Sequence, residues 1–178
     1  SMTYDKVICS PLIRTVVTGM IALSTLNDED NRNIIYIVPY VKFHNKKLSK
    51  INRVVELKEK IHNFKLWFHK TGIHLYQLYR DIHPTSPKNI TSIHFPKIDY
   101  TELEKYERRF QENEKINISK EFQEYISQLN VSSVLLFTHK QFISRIARIS
   151  REPTNTSITK MILDVPVFEN DTRTNKMN

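Results

Sequence analysis

The chain has 178 residues, 39% apolar and 26% charged, with 27 Lys and Arg against 19 Asp and Glu for a formal charge of +8. That length fits one domain with its own hydrophobic core, and the composition excludes both wholesale disorder and a fibrous repeat. Glycine occurs only at Gly19 and Gly72, against roughly a dozen at the average usage of about 7%, so a dinucleotide fingerprint, a phosphate-cradling P-loop and a G-x-S-x-G elbow are all excluded.

Residues 6–9 read as a short apolar-leaning strand ended by Ser10-Pro11, where Ser10 can cap a helix and Pro11 can take its first position. Leu12, Val16, Gly19, Met20 and Leu23 follow at steps of three and four, which predicts a helix to about Asn27 with one face on a sheet. A polar loop then leads to Ile34-Ile35-Tyr36-Ile37-Val38, a continuous β-branched run suited to a buried parallel strand and closed by Pro39. The run Lys46-Lys47-Leu48-Ser49-Lys50 is read as a solvated approach to the next helix.

That helix is predicted from Ser49, with Ile51, Val54, Val55, Ile61, Phe64 and Phe68 on its core face, Lys58 breaking the stripe and Gly72 as the stop. Phe64, Trp67 and Phe68 are expected in the core. Residues 80–96, with Pro84, Pro87 and Pro96, predict an irregular excursion. Two polar helices are expected next, one over 101–113 and one capped by Ser119 that turns Phe122, Tyr125, Ile126 and Leu129 inward. Val134-Leu135-Leu136-Phe137 reads as a buried strand, and Phe142, Ile143, Ile146 and Ile149 continue it as an amphipathic helix, with His139 at the junction. A last strand is predicted over 157–168, where Pro166 suggests an edge, and 170–178 is a polar tail. Strand-helix alternation with buried β-branched runs predicts a single three-layer α/β/α sandwich with a mostly parallel sheet.

Cys9 is the only cysteine, so no internal disulfide and no thiolate zinc cage can form, and an intracellular, cytoplasmic location is expected. No run of 18 apolar residues is present and the start lacks a basic-then-apolar leader, so neither a membrane span nor membrane association is expected. Ser1-Met2 is read as a cloning remnant. The other histidines, His44, His62, His69, His74, His83 and His94, show no H-E-x-x-H spacing, so no metal is assigned; no cofactor is expected.

In open α/β sheets, ligands collect beyond the carboxyl ends of the strands. Two segments place reactive residues there. Cys9-Ser10-Pro11-Leu12-Ile13-Arg14-Thr15 sets Arg14 in the first turn of a helix, where a guanidinium fork and free backbone N–H groups together suit a phosphate. Phe137-Thr138-His139-Lys140-Gln141 sets His139 just past a strand, able to bond a phosphoryl oxygen or move a proton, with Lys140 adding charge.

Tyr4 to Thr18, containing Ser10-Pro11-Leu12-Ile13-Arg14-Thr15, resembles the "strand, S-P-L-x-R-T-x-x-T" segment of the histidine phosphatase, or phosphoglycerate-mutase-like, superfamily. Val134-Leu135-Leu136-Phe137-Thr138-His139 resembles its later "strand, S-H-G" segment, with Thr138 in place of Ser, and Asn155-Thr156-Ser157-Ile158-Thr159 resembles its "N-x-S-I-T" segment. The three stand in the family's order. The resemblance implies a phosphate pocket in which Arg14 grips the phosphate and His139 takes the position of the second catalytic His, with Lys140 where the family has Gly. Two of the family's parts are not found. No Arg-His-Gly nucleophile motif occurs in the 178 residues, and the position expected to carry the acid is Phe43.

The resemblance therefore implies a divergent member with a partial phosphate pocket, weak or inactive as a phosphatase, that takes a phosphorylated small molecule or phosphoprotein. Two alternatives stay open. One is an active phosphatase whose first strand lies upstream. The other is a basic interaction module that binds protein or nucleic acid through Trp67, Phe68, Tyr76 and Tyr79.

Overall fold

Apolar runs too short for helices form strands, and the strands order the molecule. The computed structural model describes residues 4–24, 34–41, 53–82 and 95–147. In chain order these form β1 (Lys6–Cys9), α1 (Ile13–Ser24), β2 (Ile34–Ile37), a 3₁₀ turn (Pro39–Val41), α2 (Val54–Trp67), a π-helical turn (Phe68–Gly72) and α3 (Ile73–Ile82). β3 (Lys97–Asp99), α4 (Thr101–Gln111), α5 (Ile118–Gln128), β4 (Val134–Phe137) and α6 (Lys140–Ala147) follow.

The four described strands make one sheet in the order β3-β2-β1-β4, every neighbouring pair parallel. Both faces of the sheet are covered, because alternate side chains of each strand point to opposite sides. Val7, Cys9, Ile35 and Ile37 join Val16 and Met20 of α1 and Leu57 of α2 in one cluster. Ile8 joins Tyr40, Tyr106, Phe122 and Phe142 in the other, built from the 3₁₀ turn, α4, α5 and α6. α4 spans the two clusters, with Leu103 in one and Tyr106 in the other. The chain is thus an α/β protein with helices on both faces of a parallel sheet.

Gly19 sets how closely α1 lies on the sheet. A Cβ built there would stand 3.2 Å from Cδ2 of Phe137 on β4. Gly19→Leu is expected to destabilise the fold by about 1–3 kcal/mol through overpacking, measured as a lower denaturant midpoint. An unchanged midpoint would show that α1 does not rest on β4.

At the opposite end of the same strand pair, the Asp5 carboxylate accepts hydrogen bonds from the backbone N–H groups of Ser132 and Ser133, both at 2.9 Å, and from the Ser133 hydroxyl at 3.2 Å. The backbone bond to Ser133, then that to Ser132, then the hydroxyl hold its pKa below the ordinary 3.8. A carboxyl with a lowered folded value stabilises the protein fully above the unfolded value, and that contribution is lost as pH falls through the folded one. Asp5→Asn should therefore flatten the fall of Tm with pH below 3.8; an acid limb identical to that of the parent would contradict the assignment.

Several sequence expectations need correction. The helix predicted to stop at Gly72 continues, through a π-helical turn, into α3. Gly72 keeps a negative φ, and its missing side chain instead makes room for Phe68, whose Cδ2 lies 2.7 Å from where a Cβ would stand. Val55, placed on the core face, is 75% exposed, whereas Leu57 is fully buried. Trp67 is half exposed although Phe68 is buried, and the side chains of Tyr76 and Tyr79 lie outside the described residues. Residues 80–82 belong to α3 rather than to an irregular stretch, and β3 was not predicted.

α1 begins at Ile13, so Pro11 precedes the helix. α5 is capped by Asn117, whose side chain accepts from the Lys120 N–H, and not by Ser119. α4 and α5 each end near an asparagine with positive φ, Asn113 at 57° and Asn130 at 46°, the left-handed exit that Asn tolerates. Phe122 is buried and Tyr125, Ile126 and Leu129 are half-buried, as expected for the inward face of α5. The basic run 46–50, Phe43, residues 155–159, the strand predicted over 157–168 and the polar tail all lie outside the described residues.

Candidate anion site at the switch point of the sheet

The strand order reverses direction at β1. From β1 the chain builds outward to β2 and β3, while β4 returns to the other side of β1. The helices that leave these two central neighbours go to opposite faces: α1 packs in the cluster of Val7 and Cys9, and Phe142 of α6 in the cluster of Ile8. Two adjacent strands whose following helices diverge leave a crevice outside their carboxyl ends, the place where open α/β sheets bind ligands.

The backbone at this edge is closely tied. The Ser10 N–H donates to the Phe137 carbonyl at 3.0 Å and the Val38 N–H to the Cys9 carbonyl at 2.9 Å, which carries the ladder one residue past β1 and β2. The Thr138 hydroxyl donates to the Val41 carbonyl at 2.5 Å, joining the end of β4 to the 3₁₀ turn. Residues that follow these strand ends are thereby held in fixed positions.

Ser10, Arg14 and His139 meet here, brought together across 125 residues by the β1–β4 pairing. Ser10 Oγ is 2.9 Å from His139 Nε2, and Arg14 Nη2 is 3.4 Å from His139 Nδ1. Arg14 is the second residue of α1 and exposed; His139 is half-buried. His139 also stands where α6 begins, its carbonyl accepting from the N–H groups of Phe142 at 2.9 Å and Ile143 at 3.1 Å. Lys140 is the first residue of α6 and is exposed. The positive ends of two helices and a guanidinium therefore face one crevice, an arrangement that stabilises a negative charge.

Arg14 and His139, singled out from the sequence, are thus brought together, and Lys140 takes the next position along α6. Ser10 was missed: expected to cap α1, it instead bonds the imidazole. Its only sequence signal was its place directly after a buried strand. Ser10 is fully buried, so it orients the ring rather than attacking a ligand. Cys9 is no nucleophile either, because burial pushes its thiol pKa well up and keeps it protonated.

A second polar group lies between α4 and α5. Arg109 bonds Glu114 at 2.7 and 3.0 Å and Glu121 at 2.6 Å, beside an open cleft of about 370 Å³ that also touches Tyr40, Lys105 and Tyr125. Its charges are mutually paired, and its lining includes none of Ser10, Arg14 or His139. Among the described residues no group of three or more His, Cys, Asp or Glu side chains is placed to hold a metal ion, and no helix is long and apolar enough to cross a membrane. No protein-family model, no curated protein and no solved structure matches this chain.

Proposed function

We propose that this chain is a divergent, phosphoglycerate-mutase-like member of the histidine phosphatase superfamily that binds phosphate groups through Arg14 and His139, with Lys140 adding charge, and turns them over weakly or not at all. The observation that carries this reading is the approach of Arg14 to His139 at 3.4 Å, at the carboxyl ends of two adjacent parallel strands. Two segments that resemble the family's phosphate-binding motifs are distant in sequence, and the approach of their side chains to one another supports a shared pocket. The formal charge of +8 favours an anionic partner at long range, and a phosphorylated small molecule or phosphoprotein fits that chemistry.

Low turnover follows from the residues at hand. Phosphoryl transfer through a covalent intermediate needs a nucleophile and a proton donor. Cys9 is buried and protonated, Ser10 is buried, and the 178 residues contain no Arg-His-Gly. The test is thermal stabilisation by phosphate, vanadate or tungstate, compared among the parent chain, Arg14→Ala and His139→Ala. A stabilisation that both variants reduce supports the pocket, and none in the parent chain refutes it.

One observation favours a second reading as an interaction module. Leu66, Trp67, Leu75 and Leu78, all on α2 and α3, are 48–58% exposed. Exposed apolar residues are ordinary on a folded surface, so the phosphate pocket remains the preferred assignment.

A further inference from the structure

The contacts around His139 point to its protonation state. A guanidinium has only donors, so the approach of Arg14 Nη2 to Nδ1 requires Nδ1 to carry a lone pair. The ring proton is then on Nε2, donated to Ser10 Oγ at 2.9 Å. His139 is a neutral imidazole held at both nitrogens. Among the described residues, the cationic Arg14 guanidinium beside Nδ1 favours that state, because it opposes an imidazolium by like-charge repulsion. Of the other described groups on elements packed here, Cys9 at the end of β1 is a thiol that burial keeps protonated, Ser10 is uncharged, and the Thr138 hydroxyl is engaged by the Val41 carbonyl.

An oxyanion entering the crevice changes this arrangement. It replaces Nδ1 as the acceptor for Arg14, because a charge-assisted guanidinium–oxyanion bond is roughly twice as strong as one to a neutral acceptor. Nδ1 would then present a lone pair to an oxygen lone pair, which is repulsive. A proton added to Nδ1 turns the same contact into a charge-assisted hydrogen bond. The ring need not rotate, since Nε2 donates to Ser10 Oγ in both states.

Resting on the phosphate-site reading above, we infer that anion binding at Arg14 and His139 is coupled to the uptake of one proton by His139. The bond formed is Nδ1–H and the proton comes from the solvent; no covalent bond breaks. Arg14 thus serves as a lock on the neutral imidazole as well as a ligand for the anion, and the site selects dianions by completing their neutralisation only as they bind.

Sulfate is a suitable probe because it stays a dianion near neutral pH and carries no proton into the site. Calorimetric titration at about pH 7.5, roughly a unit above the ordinary imidazole value of about 6.5, would be repeated in buffers of different ionisation enthalpy. The expected result is a binding enthalpy that varies with that of the buffer with a slope near one proton taken up per sulfate, and an affinity that falls roughly tenfold per pH unit above the imidazole titration. In His139→Asn, which keeps a favourable residue at the start of α6, residual binding through Arg14 should show a slope near zero. NMR of the parent chain gives an independent reading, since the His139 ring should titrate at higher pH with sulfate than without. Sulfate binding with no proton uptake would overturn the coupling alone, as would an uptake that persists in His139→Asn. No sulfate binding by the parent chain would overturn the phosphate site and the coupling together.

Discussion

Arg14→Ala should lower the affinity for tungstate or phosphate by about 10- to 100-fold, the equivalent of losing a charge-assisted hydrogen bond of roughly 1.5–3 kcal/mol. Its exposed position on α1 means that the fold itself should be little affected, so the loss is readable as a smaller anion-induced rise in Tm at fixed anion concentration. His139→Ala should lower affinity less, because the ring must take up a proton before it can bond the anion, and it should also release the bond to Ser10. The two side chains are 3.4 Å apart, close enough that their effects should not add. A double variant no worse than Arg14→Ala would show that the two act as one unit. Equal anion responses in all four proteins would contradict the site.

Leu57→Ala and Val55→Ala form the second test, directed at how α2 meets the body. Leu57 is fully buried in the cluster beneath β1 and β2, and truncating a buried Leu costs about 2–5 kcal/mol. Val55 is 75% exposed, and a surface change of this kind stays within roughly 0.5 kcal/mol. Chemical denaturation of both variants separates the two placements. Comparable destabilisation by both, or a larger effect at Val55, would mean that α2 is rotated from the orientation described here.

The difference between those two residues shows where helical periodicity falls short. Val54, Ile61 and Phe68 all proved buried, and a stripe through them passes close to both Val55 and Leu57. Only the neighbours can select between adjacent positions, and here Leu57 shares one buried cluster with Val16 and Met20 of α1 and Leu103 of α4. Gly72 was misread for a related reason. Glycine often ends a helix because it accepts positive φ, but here φ is negative and the absent side chain serves packing against Phe68 and Trp67.

The central strands were legible because β1, β2 and β4 are short apolar runs, although β4, expected to be buried, has Val134 exposed and Leu135, Leu136 and Phe137 only half-buried. β3 was not, since Lys97-Ile98-Asp99 carries one apolar residue and takes its strand form from the register of Ile98 with Ile35 on β2. The site was legible only in part. Arg14 and His139 each stood at the end of a recognisable strand, but nothing local in either segment says that β1 and β4 are neighbours. That adjacency comes from the sheet order. Ser10 carries the same lesson at shorter range: its hydroxyl could equally have capped α1, and the pairing of β1 with β4 gives it the imidazole instead.

A crystal structure with tungstate bound tests the central claim most directly. The account expects the anion outside the carboxyl ends of β1 and β4, within hydrogen-bond reach of the Arg14 guanidinium and His139 Nδ1, with Ser10 still bonded to Nε2. Tungstate bound elsewhere on the basic surface, with Arg14 still on Nδ1 or the two side chains apart, would contradict it.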